Sequence, residues 1–325
     1  MTSRGMSCPD RCRWLLDELV GRAADLGVEL HRLRCGALVA DAGVNAAGSY
    51  EAGRLLIELS HVGLCSAAVD LVDIRGTTLT RVTVESLRPT VSTYYGQASF
   101  PLPELSPDLR LCGPLRVRTE QDSPLRTLEE GRKFPSVGIV EWDRLPDDGT
   151  AQTIALRAGV DPSDLVLVAS SVRSVVGATQ IAGRINECVI FTIERSLGLD
   201  STSVLQIVGQ APICPSPGGW TGALWPDDLI HYLGRAYLTV DDGVEVHELA
   251  EQLCFATTPI YGRLFGEVLA EAGGVFERIP DLVHINKPAV VTAVGLRSGR
   301  MATAGHIRED IIHRALRDGQ GTDAR

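Results

Sequence analysis

Short apolar runs that give way, across a turn, to segments with helical spacing recur along this chain, and that alternation constrains its fold more than any other feature. CGALVADAGV (Cys35 to Val44) leads through the Asn45 to Ser49 turn into EAGRLLIELSHVGL, where Leu55, Leu56 and Leu59 share one helical face. Ser49 is placed to cap this helix, and Glu51 falls in its first turn, where a carboxylate suits the positive end of the helix dipole. The pattern returns after Val137: the strand VGIVEW, a helix near Gly149 to Ala158, a DPSD turn, the strand LVLVA and a long helix from about Val176 to Leu197. Strand and helix in alternation predict a mixed α/β fold.

Other segments fill in the plan. The first twenty residues, interrupted by Asp17 and Glu18, read as an amphipathic helix and lack the apolar core of a signal peptide. Ala67 to Ile74 and Leu79 to Val84 alternate as strands do, and residues 87–136, rich in proline, read as a long irregular connection of the kind that binds something. The strand VLQIV precedes a second Pro and Gly cluster, Ala211 to Asp228. After it come a strand near Ala236 to Val240, helices near Val246 to Leu253 and Tyr261 to Ala272, and a hairpin AVVTAVGL, RSG, RMATAG, with a frayed polar tail after Arg317. With 325 residues, two domains are expected, 1–136 and 137–325, the second carrying the long helix.

The balance of 41 acidic against 31 basic residues leaves a formal charge of −10, the wrong sign for neutralising phosphates, so nucleic acid is not an expected partner. The longest apolar stretches fall far short of the 18 or so residues that span a bilayer, so no membrane is expected either, and the chain reads as cytoplasmic. Eight scattered cysteines in mostly apolar surroundings fit reduced, buried thiols.

The usual phosphate cradles, GxxxxGK[ST] and a strand-linked GxGxxG, are absent. Cys8 and Cys12 in CPDRC have no second half at zinc-like spacing, and His247-Glu248 in HELAE lacks the second histidine that would put two imidazoles on one face. No GxSxG elbow occurs, and capping accounts for at least one of Ser170, Ser171 and Ser174, which sit where a strand ends and a helix begins. The informative segment is VVGATQIAGRINECVIFTIERSLGLD, in which Gln180, Arg184 and Glu187 fall at i, i+4 and i+7 on a helix that is otherwise mostly apolar. A polar stripe on a buried helix must pair internally or face a polar cavity. Two readings follow: Arg184 and Glu187 form a structural ion pair, or Glu187 is a general base acting on water beside the guanidinium.

Ser174, Gly177, Gln180-Ile181, Arg184 and Glu187 together resemble the central helix of methenyltetrahydromethanopterin cyclohydrolases, without a gap. DAGV with GSYEAGRLLIE, Gly113-Pro114 with Arg116, Glu141, APICP, Tyr261-Gly262, Pro288-Ala289 and Gly305 match the same family in order, so the resemblance covers nearly the whole chain. It implies two α/β domains flanking a deep pocket, assembly as a homotrimer, and no metal, nucleotide or other cofactor. The implied reaction is reversible: water adds to the amidinium carbon bridging two nitrogens of a pterin carrier, and one carbon–nitrogen bond breaks to leave a formyl group. The resemblance gives Glu187 the proton of water and Arg184 the task of positioning it. It makes Gln180, Ser174, Gln97, Glu141, Asp228 and Tyr232 the expected substrate contacts.

The chain departs from the family pattern at Ala98-Ser99-Phe100-Pro101, at Leu224 to Asp227, at Ser170-Ser171-Val172 and at Val275-Phe276-Glu277. These departures keep open a second reading, in which the same Glu and Arg pair serves another imine, amidine or amide in a biosynthetic pathway. A catalytically dead binding subunit is disfavoured, because it has no physical reason to keep a polar stripe on a buried helix.

Overall fold

The computed structural model describes residues 6–119, 134–215 and 224–320. By its internal contacts the chain forms two compact units, and neither is contiguous: residues 1–66 with 91–180, and 67–90 with 181–325. The single boundary expected after residue 136 is therefore not where the chain divides. A cut there would separate β6 (Ser106–Cys112) from β7 (Val137–Glu141), which pair through Arg110 and Glu141, Leu111 and Val140, and Cys112 and Ile139.

The first unit is built on a six-stranded sheet in the order β1 (Glu29–Arg32), β2 (Leu38–Gly43), β8 (Val166–Ser170), β7, β6 and β5 (Phe100–Leu102). Strands β2, β8 and β7 run parallel, and β1, β6 and β5 extend them in antiparallel fashion. Successive side chains on a strand point to opposite faces, so the parallel centre feeds two cores. Ala40, Val168 and Ile139 face α1 (Cys8–Gly21) and α2 (Tyr50–Ser60), where Leu15, Leu19, Leu55, Leu56 and Leu59 are buried. Val39, Leu167 and Val140 face α4 (Asp148–Ala158) through Ile154 and Ala155. Each such leucine contributes roughly 2 kcal/mol by burial against about 1 for a cap, so packing holds α2 in place while the cap decides where it starts. That cap is Ser49, whose side chain accepts from the Ala52 amide, with Glu51 in the first turn, as the sequence predicts.

The proline-rich stretch is more ordered than its composition suggests. Within its described residues lie a π-helical segment, Thr90–Gln97, then β5, β6 and the short α3 (Arg116–Thr119). Tertiary hydrogen bonds hold it: Arg116 Nη1 donates to the carbonyls of Tyr94 at 2.6 Å and Ala98 at 2.5 Å. Pro124 lies outside the described residues, as does the middle of the second Pro and Gly cluster, Ser216 to Ala223.

The second unit has its own six-stranded sheet, in the order β12 (Met301–Gly305), β11 (Val290–Gly295), β10 (Arg235–Val240), β9 (Val204–Pro212), β4 (Thr77–Leu87) and β3 (Cys65–Ile74). β10 and β11 are parallel, and the predicted hairpin of β11 and β12 is antiparallel. Helices α6 (Ile185–Phe191), α7 (Pro226–Leu233) and α8 (Val246–Leu253) pack on this sheet, α6 and α7 over β9 and α8 over β11 and β12. α9 (Phe265–Glu271) is shorter than expected, while α7 and α10 (Glu309–Gln320) lie where no helix is expected. Among the described residues no helix is long and apolar enough to cross a membrane.

Candidate functional site

Two parallel strands of the first unit, β2 and β8, deliver polar groups at their carboxyl ends, where open α/β sheets present their loops. The fully buried Asp41 carboxylate accepts from four successive backbone amides, Gly43 at 3.0 Å, Val44 at 2.7 Å, Asn45 at 2.9 Å and Ala46 at 3.1 Å, which fixes the loop leading to α2. Beyond β8, Ser174 Oγ accepts from the Gly177 amide at 2.9 Å and donates to the Ser171 carbonyl at 2.8 Å. Ser174 thus caps α5 (Val175–Ala182), as the bland reading of these serines predicts. Gly177 is required beneath it, because a Cβ there would run into the Ser171 carbonyl oxygen. Gly53 of α2 likewise lets α5 approach, since its Cβ would lie 2.6 Å from that of Thr179.

Glu141 ends β7 opposite Arg110 and Ser170, and Gln97, fully buried, ends the π-helical segment. Gln180 is 2% exposed, and its Oε1 has no hydrogen-bond partner among the described residues. A buried amide oxygen left without a donor costs about 1–3 kcal/mol, so it marks a place where the described residues supply none.

The long helix expected from Val176 to Leu197 is not continuous. α5 ends at Ala182, Arg184 is the N-cap of α6, and a π-helical turn, Thr192–Ser196, follows Phe191. The strict i, i+4, i+7 stripe is therefore corrected: Gln180 belongs to the first unit and to α5, Arg184 and Glu187 to the second unit and the start of α6. The interruption leaves the shorter spacing intact. Arg184 Nη1 donates to Glu187 Oε2 at 2.8 Å, with side chains 12% and 14% exposed. Pairs this enclosed are screened far less than surface ones.

Burial, then the carboxylates of Glu187 and Asp227, push Cys188 well above the ordinary thiol range. Cys214 is pushed up to about 12, by burial and then by Asp228 and Asp227. Among the described residues no cysteine is in a disulfide, and no cluster of three or more His, Cys, Asp or Glu side chains is placed to hold a metal ion.

Two expected substrate contacts have other work in the second unit. Asp228 is fully buried, with Oδ2 accepting from the Trp225 amide at 2.8 Å and Oδ1 from the Phe265 amide at 2.7 Å, so it starts α7 and ties it to α9. Burial raises its carboxyl to about 8 against the opposing pull of those two amides. Tyr232 donates its hydroxyl to the Arg263 carbonyl at 2.6 Å and accepts from the Gly262 amide at 3.0 Å, latching the loop that the Tyr261-Gly262 match had singled out. The departure at Ala98 to Pro101 is also structural in part, because Phe100 and Pro101 open β5 and Arg116 lies 6.0 Å over the Phe100 ring.

His231 escaped the sequence reading because one histidine on an apolar face carries no spacing signal. It is buried between α7 and its neighbours, stacked on Phe255 with ring centroids 4.3 Å apart, and burial lowers its imidazole to about 3.

Comparison with known proteins gives a family for the chain. The family model described as Cyclohydrolase (MCH) matches residues 7–316. A protein of Methanococcus maripaludis (strain C5) named methenyltetrahydromethanopterin cyclohydrolase is 30% identical over 322 residues, which cover 94% of this chain and 97% of that one. The protein of that name from Methanococcus vannielii is 31% identical over 313 residues, covering 92% and 95%. That of Methanocaldococcus jannaschii is 26% identical over 314 residues, covering 93% and 95%.

Proposed function

The chain belongs to the methenyltetrahydromethanopterin cyclohydrolase family, a hydrolase family acting on the carbon–nitrogen bond of a cyclic amidine, and from that premise we propose that it converts methenyl-tetrahydromethanopterin reversibly to the formyl form in one-carbon metabolism. The observation that carries the proposal at residue level is the Arg184–Glu187 pair, 2.8 Å apart and largely enclosed at the start of α6.

The amidinium carbon is already electron-poor, so the protein has to supply a base, charge placement and orientation. Glu187 takes a proton from the attacking water as its oxygen bonds to that carbon, giving a neutral tetrahedral adduct. Collapse of the adduct forms the formyl C=O, breaks one carbon–nitrogen bond, and returns a proton to the departing nitrogen. The net change is addition of water and release of one proton. Arg184 holds the Glu187 carboxylate in one rotamer, so the base waits in position.

Gln180 is proposed as a substrate contact because its buried amide oxygen has no donor among the described residues. Gln97 and Glu141 are proposed on resemblance alone, and Ser174 contributes by capping the helix that carries Gln180. Assembly as a homotrimer and a cytoplasmic location are proposed on the same resemblance, the first to be checked by sedimentation equilibrium.

The test is loss of the amidinium absorbance when the purified protein meets methenyl-tetrahydromethanopterin, with Glu187→Gln alongside. Turnover by wild type, reduced about 100-fold or more in the variant, is the expected result for a positioned general base. A folded wild type that leaves the chromophore untouched would overturn the substrate assignment.

A further inference from the structure

The break between α5 and α6 raises the question of what aims Glu187, since a seven-residue helix starting after an interruption has no long helical axis to orient it. The neighbouring residue answers it. Asn186 is fully buried, and its Nδ2 donates to the Val84 carbonyl at 3.0 Å and to Ser86 Oγ at 2.9 Å, both on β4. Its Oδ1 rests on Gly209 in the interior of β9, so closely that a Cβ on Gly209 would run into it and would lie 2.5 Å from Ile185 Cγ2. Gly209 pairs with Val84 on one side and Ala236 on the other, so the anchor sits at the centre of the second unit's sheet. Glycine inside a strand weakens it, and its use here matches a site where another element must approach the backbone closely.

We infer that Asn186, seated in the notch left by Gly209, is a positioning residue for the reaction: it pins the first turn of α6 to β4 and β9 and thereby sets the direction in which Glu187 presents its carboxylate. The geometry is specific. Both amide hydrogens are used, one on a main-chain carbonyl that no substitution removes, and the helix can neither rotate nor slide without breaking both bonds in a buried site. Arg184 and Glu187, two residues before and one after, move with it. This inference rests on the proposed role of Glu187, and its test contains one arm that does not.

Three variants probe the anchor from different sides: Asn186→Ala removes both bonds, Ser86→Ala removes one and is the milder change should the first fail to fold, and Gly209→Ala fills the notch while leaving Asn186 intact. Measured on folded protein, kcat is expected to fall 10- to 100-fold for Asn186→Ala and Gly209→Ala and less for Ser86→Ala, with KM within about twofold of wild type. In a Glu187→Gln background the Asn186→Ala step is expected to cost less than twofold, because there is no longer a base to aim. Lower thermal midpoints with unchanged kcat, or full additivity with Glu187→Gln, would reduce Asn186 to a structural residue and overturn the inference. The independent arm is a crystal structure of Gly209→Ala or Ser86→Ala, in which the Arg184–Glu187 pair is expected to be displaced. An undisplaced pair overturns the anchor whatever the enzyme acts on, whereas an inactive wild type with a displaced pair in the variants overturns only the substrate assignment.

Discussion

Arg184 and Glu187 meet at 2.8 Å across the first turn of a helix that begins at Ile185, so their contact is local and survives the interruption that separates them from Gln180. The ion pair weighed from sequence is present, and under the proposed function the bond that fixes the carboxylate also orients it as a base. Arg184→Lys keeps the charge but gives up the rigid planar fork, and turnover is expected to fall about 10-fold. Arg184→Met leaves a carboxylate enclosed without its cation, and a loss of about 100-fold or more is expected. Steady-state kinetics on both variants check this, and equal losses would mean that the planar fork matters and the charge alone does not.

Asp228 is expected to behave as a structural residue. Asp228→Asn puts an amide nitrogen where one of two acceptors was, leaving the Trp225 or Phe265 amide without a partner. A loss of about 1–3 kcal/mol in urea unfolding is expected, with KM and kcat within about twofold of wild type. A several-fold rise in KM with unchanged stability would return Asp228 to the substrate contacts.

His231 contributes stability to the second unit that is lost in acid. Its folded imidazole titrates at about 3 against 6.5 for the free group, so between those values the unfolded chain holds a proton that the folded chain does not. Stability from this group is complete above about pH 6.5 and is lost as pH falls toward 3. Asp228 works in the opposite direction: its raised carboxyl favours the folded state at low pH, and that contribution is lost as pH rises through about 8. The two partly offset each other in wild type. Between pH 7 and 5, His231→Phe is therefore expected to gain about 2 kcal/mol relative to wild type, read from urea midpoints at the two pH values. Parallel curves would contradict the prediction.

Gly177 and Gly149 should respond in opposite ways to the same substitution. Gly177→Ala drives a methyl group into the Ser171 backbone carbonyl and is expected to cost about 3 kcal/mol or to prevent folding. Gly149 lies in α4, where a Cβ meets only Asp147 Oδ1 at 3.6 Å, so Gly149→Ala is expected to stabilise by about 0.5–1 kcal/mol. Thermal or urea unfolding of the two variants settles the comparison.

Much of this protein was already written in local patterns. The caps at Ser49 and Ser174, the helices at Cys8 and Val246, the strands β2, β7, β8, β9 and β10 and the hairpin of β11 and β12 follow from periodicity and turn chemistry that act within a few residues. So did Arg184 and Glu187, because three residues on a helix put two side chains together wherever that helix lies. What the sequence could not decide depended on partners distant along the chain. The order in residues 87–119 is held by Arg116 on carbonyls some twenty residues earlier, and α7 is tied to α9 by Asp228 across 37 residues. The discontinuous units arise because the β3 and β4 hairpin pairs with β9, more than a hundred residues on. Asn186 is the sharpest case: alone it is one polar residue in an apolar helix, and only the sheet beneath it, with a glycine in one strand and two acceptors on another, gives it a task. Local spacing sets which groups can exist side by side on one element; buried donors and acceptors from distant segments decide where that element points.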